Sequence, residues 1–145
     1  MSAKKETKNY LKNEYMLKYI HLYHQKGFID KRLHEMFYIL AERIARTPLF
    51  SMKINELIKT SNDNDYYNEL VNSGYLKCIS KLDKFSLTNK NPFSYFTTIV
   101  FNSFRDYFYA EKKFDIMKNE SQKEYEHKFL VKYGFHPSKA VYDKD

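Results

Sequence analysis

Side chains that can bind unpaired nucleotides recur at every third or fourth position between residues 95 and 113. On a helix, residues at that spacing line up along one side. Aromatic rings there stack on bases, amide and hydroxyl groups hydrogen-bond base edges, and a lysine binds a phosphate; stacking contributes about 1–3 kcal/mol per base. A second packing partner, or a plain amphipathic surface, explains the same pattern. These residues, called the polar face below, are Tyr95, Thr98, Ile99, Asn102, Asp106, Tyr109 and Lys113.

The other side of the same segment is apolar, which predicts one long helix. Asn91 and Pro92 suit its start, because asparagine caps helices and proline fits the first helical position. The pattern continues to about Glu120. The stripe expected to face the core is Phe93, Phe96, Thr97, Val100, Phe104, Tyr107 and Phe108.

The preceding helix is predicted over Tyr66–Phe85, after a turn-forming run of Ser, Asn and Asp at 61–65. Gly74 lies in the middle of its apolar side, where glycine costs about 1 kcal/mol relative to alanine. It therefore indicates close packing against a neighbouring helix. The apolar side is Leu70, Gly74, Cys78, Leu82 and Phe85, flanked by Val71 and Ile79.

The rest of the chain also shows helical spacing and no alternation typical of strands. Gly27 predicts a helix stop, Asp30 an N-cap, and Pro48 the end of the helix before it. Three Gly and three Pro leave little material for β turns. The sequence therefore predicts an all-α fold, a small helical domain. The remaining predicted helices are Asn9–Lys26, Lys31–Arg46, 50–59 and 123–133. The expected divisions of the chain are a flexible segment 1–8, a helical domain 9–120, and a short helix and tail 121–145.

Charge and cysteine content narrow the cellular setting. The net charge is +7, and residues 1–53 carry 11 Lys/Arg against 5 Asp/Glu. This basic half suits either a polyanionic partner or a solvated lysine-rich surface. The single cysteine excludes an internal disulfide and fits a reducing cytoplasm. No apolar run approaches the ~18 residues of a membrane span, and the polar start is unlike a secretory signal, so no membrane partner is expected.

Nothing in the sequence favours catalysis, a metal or a cofactor. His21 and His24 are spaced for metal binding, but no third ligand lies nearby in sequence. The acidic run at 63–69 lacks the glycine and the glutamate spacing of a calcium loop and fits a capping turn better. Cys78 falls on an apolar side and is expected to be a buried, inert thiol.

Residues 69–104 resemble the core of bacterial sigma factors. Glu69 lies in the first turn of the helix, Gly74 lies in its middle, and Asp83-Lys84-Phe85 ends it, as in the sigma helix that grips RNA polymerase. Phe93-Ser94-Tyr95-Phe96 looks like the Phe-Ser-Thr-Tyr opening of the promoter-melting helix. The Asn-Pro start, the Phe-Asn-small-Phe step at 101–104 and the run 9–13 are similar to reduced late-transcription sigma factors of large tailed phages. The resemblance covers roughly residues 9–120.

This resemblance implies a region-2-like helical bundle with two contact surfaces. One would bind the clamp helices of the largest subunit of host core RNA polymerase, which are basic in the family. The other would capture and read the minus-ten promoter element. The implied polymerase-binding residues are Glu69, Asn72, Ser73, Tyr75 and Ile79, and the implied DNA-binding residues are Phe96, Ile99, Asn102, Ser103 and Asp106; Tyr95 and Lys113 join the DNA set from the polar face alone.

Two departures from the family pattern qualify that expectation. Ile99 and Val100 stand where housekeeping sigma factors have two tryptophans, although phage late factors lack them too. The difference implies weaker autonomous melting, an A/T-rich promoter, or a co-activator. Phage late factors can also end in an acidic and hydrophobic peptide that binds the DNA sliding clamp, whereas Phe129–Tyr133 is apolar but basic.

Three functional interpretations remain open at this stage. The first is a sigma-like initiation factor acting in the cytoplasm of an infected bacterial host. The second is a polymerase-binding co-activator or inhibitor that does not read promoters. The third is a general nucleic-acid-binding helical protein that uses the basic half. A purely structural helical protein is the remaining alternative.

Overall fold

A computed structural model describes residues 11–61, 65–112 and 119–134. These residues contain helices and no strand, which confirms the all-α prediction for the described part of the chain. None of their helices is both long and apolar enough to cross a membrane. The helices are α1 (Asn13–Lys26), α2 (Lys31–Ala45), α3 (Pro48–Ser61), α4 (Tyr66–Ser80), α5 (Pro92–Lys112) and α6 (Asn119–Lys132), with a short 3-10 turn at Leu82–Lys84.

Local sequence signals set three of the helix ends. Gly27 ends α1 with a φ of +82°, a conformation in which a side chain would be strained. The Asp30 carboxylate accepts a hydrogen bond from the backbone N–H of Arg32 and caps α2. Helix α2 ends at Ala45, before Pro48, and the Gly27 stop, the Asp30 cap and this end before Pro48 are confirmed. Helix α3 begins at Pro48, two residues before the predicted start, because the missing N–H of proline costs nothing at the first helical position.

The core forms where α2, α4 and α5 pack together around Gly74. A β-carbon built on Gly74 would lie 2.8 Å from Phe104 Cε1 and 3.2 Å from Val100 Cγ1, both on α5. It would also lie 3.5 Å from Ala41 Cβ on α2. The predicted close helix packing at this glycine is confirmed. It brings the surface residues of α4 and α5 into one neighbourhood.

Aromatic rings fill the space around this contact. The centroids of Phe37 on α2 and Phe96 on α5 are 4.6 Å apart. Phe50 on α3 packs edge-on against Phe104 at 5.1 Å. Ring pairs at such distances add to the free energy of burial. The α5 stripe predicted from sequence is buried apart from the half-buried Tyr107, and Phe101 is buried as well.

The helix predicted over Tyr66–Phe85 is wrong at its end, because α4 stops at Ser80. The 3-10 turn that follows still buries Leu82 and Phe85. Two side chains of α1 contact this 3-10 turn. The Tyr23 hydroxyl donates to Asp83 at 2.7 Å, which raises the pKa of the phenol, and His24 Nε2 lies 3.0 Å from the Leu82 carbonyl oxygen.

Helix α6 begins at Asn119, four residues before the sequence-based expectation. Its Phe129 and Leu130 are buried, at 4% and 3% exposed, so this helix packs on the bundle. Because Phe129 and Leu130 are buried, Phe129–Tyr133 is unlike a free peptide that binds the DNA sliding clamp. The predicted extension of α5 from 113 to 118 lies outside the described residues, as do the first eight residues.

Candidate functional site

The outward side of α4 presents the residues expected to bind polymerase. Glu69 and Asn72 are exposed, whereas Ser73, Tyr75 and Ile79 are half-buried. The Ser73 hydroxyl donates to the Leu70 carbonyl oxygen of its own helix. The helix therefore offers a carboxylate and an amide to a partner, with an aromatic ring beside them.

An open groove of about 360 Å³ lies beside these residues. Tyr38 of α2 forms one wall and is 39% exposed. Tyr38 was not among the predicted site residues, although its position off the apolar stripe of α2 indicated exposure. Two carboxylates, two amides and one phenol give the groove an acidic and hydrogen-bonding lining. The lining residues are Tyr38, Asp65, Asn68, Glu69 and Asn72.

Tyr75 is held in place from α2. Its hydroxyl lies 2.6 Å from His34 Nδ1, and its ring meets the Tyr38 ring edge-on at 5.9 Å. A side chain with fixed rotamers loses little entropy when a partner binds. Tyr75 and Tyr38 thus form a pre-ordered aromatic pair at the edge of the groove.

On α5, the polar face is only partly accessible. Tyr95 is half-buried and packs edge-on against Phe85 at 5.0 Å. Ile99 is also half-buried, while Asp106 is exposed and Tyr109 is 62% exposed. Lys113 lies outside the described residues. The accessible end of the face is therefore the C-terminal half of the helix.

Two residues expected to contact DNA lie inside the protein instead. Phe96 is 0% exposed and stacks near Phe37 and Phe85, so it supports the core and offers no ring to a base in this conformation. Ser103 is 8% exposed, and its hydroxyl lies 3.3 Å from the Ser73 hydroxyl. Both positions face α2 or α4 because the close approach at Gly74 turns that side of α5 inward.

Helix α6 lies against the middle of the polar face. The Thr98 hydroxyl donates to Glu126 Oε1 at 2.8 Å. Gln122 Nε2 donates to Asn102 Oδ1 at 2.6 Å and to Glu126 Oε2 at 2.7 Å. The sequence did not predict this pairing of helices, because the weakly amphipathic segment 119–132 gives no periodic signal for a partner.

The α4 and α5 surfaces are joined by side-chain hydrogen bonds. The Tyr107 hydroxyl of α5 donates to Glu69 Oε1 at 2.8 Å, and Ser103 meets Ser73. Glu69 is therefore positioned by the helix that carries the polar face. The two residue sets implied by the sigma resemblance adjoin each other in space.

Comparison with protein-family models, curated proteins and solved structures finds no match for this chain.

Two kinds of chemistry considered from the sequence, metal binding and a reactive cysteine, can be compared with the described residues. No group of three His, Cys, Asp or Glu side chains in the ranges above is placed to hold a metal ion. Cys78 is fully buried, and burial raises the pKa of its thiol, so the reactive thiolate is disfavoured. The described surface combines an acidic groove on α4 with the neighbouring helix α5, which carries amide and aromatic side chains.

Proposed function

We propose that this chain is a sigma-like transcription initiation factor. It docks on host core RNA polymerase through α4, and α5 recognises and holds open an A/T-rich minus-ten element. The observation that carries the proposal is the pairing of the two implied surfaces. Glu69 on the docking side accepts a hydrogen bond from Tyr107 of the helix that bears the polar face.

The docking half of the proposal is supported by charge and shape. The family resemblance implies basic clamp helices on the polymerase. The groove beside Glu69 contains a second carboxylate, Asp65, and the exposed ring of Tyr38. A lysine or arginine of the partner can pair with a carboxylate and lie over the ring. Partial burial in the complex would strengthen such an ion pair over an exposed one.

The DNA half is supported by the accessible part of the polar face. Tyr109 is exposed for stacking. Asn102 is an exposed residue whose amide suits base edges, although its carboxamide oxygen accepts a hydrogen bond from Gln122. Ile99 and Val100 replace the tryptophans of housekeeping factors, so strand separation draws on an A/T-rich sequence or a co-activator. The protein would then act in the cytoplasm of an infected bacterium.

Docking is tested by co-elution of the chain with sigma-free core polymerase from the host. We expect Glu69→Lys to reduce binding at least tenfold, because it places a like charge against basic helices. Glu56→Lys makes the same charge change at an exposed position of α3 and serves as the matched control. Equal binding by the wild-type and Glu69→Lys chains would refute the docking assignment.

Promoter use is tested by multi-round transcription with the same core polymerase on linear and supercoiled A/T-rich templates. A discrete transcript starting downstream of an A/T-rich element is the expected result. Stronger transcription from the supercoiled template would agree with the missing tryptophans, since negative supercoiling lowers the cost of strand opening. Co-elution without any transcript contradicts promoter reading.

A polymerase-binding co-activator or inhibitor is the second candidate function. The observation that favours it is the cover of α6 on Thr98 and Asn102, which occupies groups expected to read bases. This protein would co-elute with core polymerase and give no promoter-specific transcript. DNA binding without polymerase, equal on A/T-rich and mixed sequences and steeply salt-dependent, would instead indicate a general nucleic-acid-binding protein.

A further inference from the structure

The first half of α6 occupies hydrogen-bonding groups of the polar face. Glu126 accepts from the Thr98 hydroxyl, and Gln122 donates to the Asn102 carboxamide oxygen. A third bond, from Gln122 to Glu126, fixes these two α6 side chains relative to each other. An incoming nucleotide would therefore compete with α6 for Thr98 and Asn102.

The second half of α6 is held by aromatic packing. Phe129 stacks on Phe93 with centroids 6.1 Å apart and an interplanar angle of 6°, and it meets Phe101 edge-on at 6.4 Å. Leu130 is 3% exposed. These contacts lie at the apolar end of the helix. Phe93 and Phe101 belong to α5, so this packing joins the second half of α6 to α5 through side chains other than Gln122 and Glu126.

In the polar half of α6, one buried hydrogen-bond acceptor has no partner. Gln122 is 6% exposed, yet its Oε1 has no hydrogen-bond partner. A buried acceptor without a partner costs free energy that water would recover if the helix moved away. Glu126 also places a carboxylate on the face where a phosphate backbone would run, and like charges repel there.

We propose that α6 is an intramolecular cover of the polar face. In the free chain Gln122 and Glu126 occupy Thr98 and Asn102, and the polar half of α6 leaves them when a single strand binds. Phe129 and Leu130 remain as the anchor. This inference rests on the proposed function, because it assumes that α5 receives single-stranded DNA.

The cover predicts a penalty on DNA binding that a single substitution relieves. Glu126→Ala removes two of the three hydrogen bonds, so the covered state is populated less and the apparent affinity rises. We expect the Kd for a fluorescent A/T-rich single-stranded oligonucleotide, measured by anisotropy without polymerase, to fall about tenfold. Glu124→Ala removes the same charge from an exposed position of α6 and should change the Kd less than twofold.

Hydrogen exchange of the wild-type chain supplies the second readout. Adding the oligonucleotide should increase deuterium uptake in the polar half of α6 and leave uptake around Phe129 and Leu130 unchanged. Equal effects of Glu126→Ala and Glu124→Ala would reduce the cover to a simple charge effect and overturn the inference. Undetectable binding by both variants would also overturn it, since release should expose the face.

Failure of the cover is separable from failure of the proposed function. If Glu126→Ala leaves oligonucleotide affinity unchanged while the wild-type chain directs a promoter-specific transcript with core polymerase, only the cover is refuted. If no transcript forms and no variant binds the oligonucleotide, both are refuted.

Discussion

Gly74 shows how one residue type can place two surfaces side by side. The missing β-carbon lets α4 approach α5 and α2 closely, because a methyl group there would meet Phe104 Cε1 at 2.8 Å. Phe104 is a fully buried ring and has little room to move. The surface residues of α4 and α5 adjoin because this contact is so close.

Replacing Gly74 with alanine should therefore destabilise the fold. The substitution gains up to about 1 kcal/mol of helix propensity and loses about 1–3 kcal/mol to overpacking. We expect a net loss of about 1 kcal/mol in the free energy of unfolding, measured by urea titration and circular dichroism. Lys77→Ala, at an exposed position of the same helix, should change it by less than about 0.5 kcal/mol. A stabilised Gly74→Ala chain would show that the helices can separate at low cost.

Cys78 makes the free energy of unfolding depend on pH, starting near the ordinary pKa of a thiol. Burial raises the pKa of the folded thiol, whereas the unfolded thiol titrates near about 8.5. The folded state therefore binds this proton more tightly. The contribution of the thiol is fully present below about pH 8.5 and is lost as the pH rises towards the folded pKa.

This difference can be measured against a chain without the thiol. From pH 7.5 to 9.5 the wild-type chain should lose about 1.4 kcal/mol more unfolding free energy than Cys78→Ala, because one pH unit above the unfolded pKa corresponds to about 1.4 kcal/mol. The cavity left by alanine is the same at both pH values and cancels in the comparison. Parallel pH profiles would contradict the burial of the thiol.

At the scale of the element, the start of α5 is held by Asn13, the first residue of α1. Asn13 Oδ1 accepts a hydrogen bond from the Phe93 N–H at 2.8 Å, and Asn13 Nδ2 donates to Asn91 Oδ1 at 3.1 Å. The cap predicted from sequence was Asn91 alone, whereas the acceptor for the Phe93 N–H belongs to Asn13. The pairing of residues about eighty positions apart sets where α5 begins relative to α1.

Asn13→Ala should uncouple the two helices. The loss of a capping acceptor and a partly buried hydrogen bond predicts a decrease of about 1–2 kcal/mol in unfolding free energy. Asn13→Asp keeps an acceptor for the Phe93 N–H and places a negative charge at a helix N-terminus, which is favourable. Its decrease should be less than half as large in the same urea titration. An equal loss in both variants would assign the effect to the hydrogen bond that the Asn13 amide nitrogen donates to Asn91 Oδ1.

At the scale of the whole molecule, burial is concentrated in α2, α4 and α5 and is weaker at α6. Residues such as Leu40, Leu70 and Val100 are 0% exposed. Along α6, most side chains between 123 and 128 are exposed or half-buried. Regions with less burial open with lower free energies.

Native-state hydrogen exchange should reproduce this gradient. We expect the slowest amides in the middle of α4 and the first half of α5, where exchange requires global unfolding. Amides of α6 should exchange at least tenfold faster, because that helix can detach by itself. Equal protection of α5 and α6 would mean that the described helices unfold as one unit.

The sequence determined the local features of this protein, because they depend on neighbouring residues. Helical spacing, the stop at Gly27, the Asp30 cap and the end of α2 before Pro48 are all short-range effects, and the structure contains each of them. The tight contact at Gly74 was also predictable, since a costly glycine in a helix interior calls for a packing reason.

Only the tertiary structure decided which side chains of α5 remain available for binding. Spacing placed Phe96 and Ser103 among candidate DNA contacts, but packing against neighbouring helices buries both. Tyr38 joins the groove, and Gln122 reaches Asn102, through contacts between residues distant in sequence. Such contacts depend on how helices are arranged in space, and a helical pattern specifies the faces of a helix without specifying what each face meets.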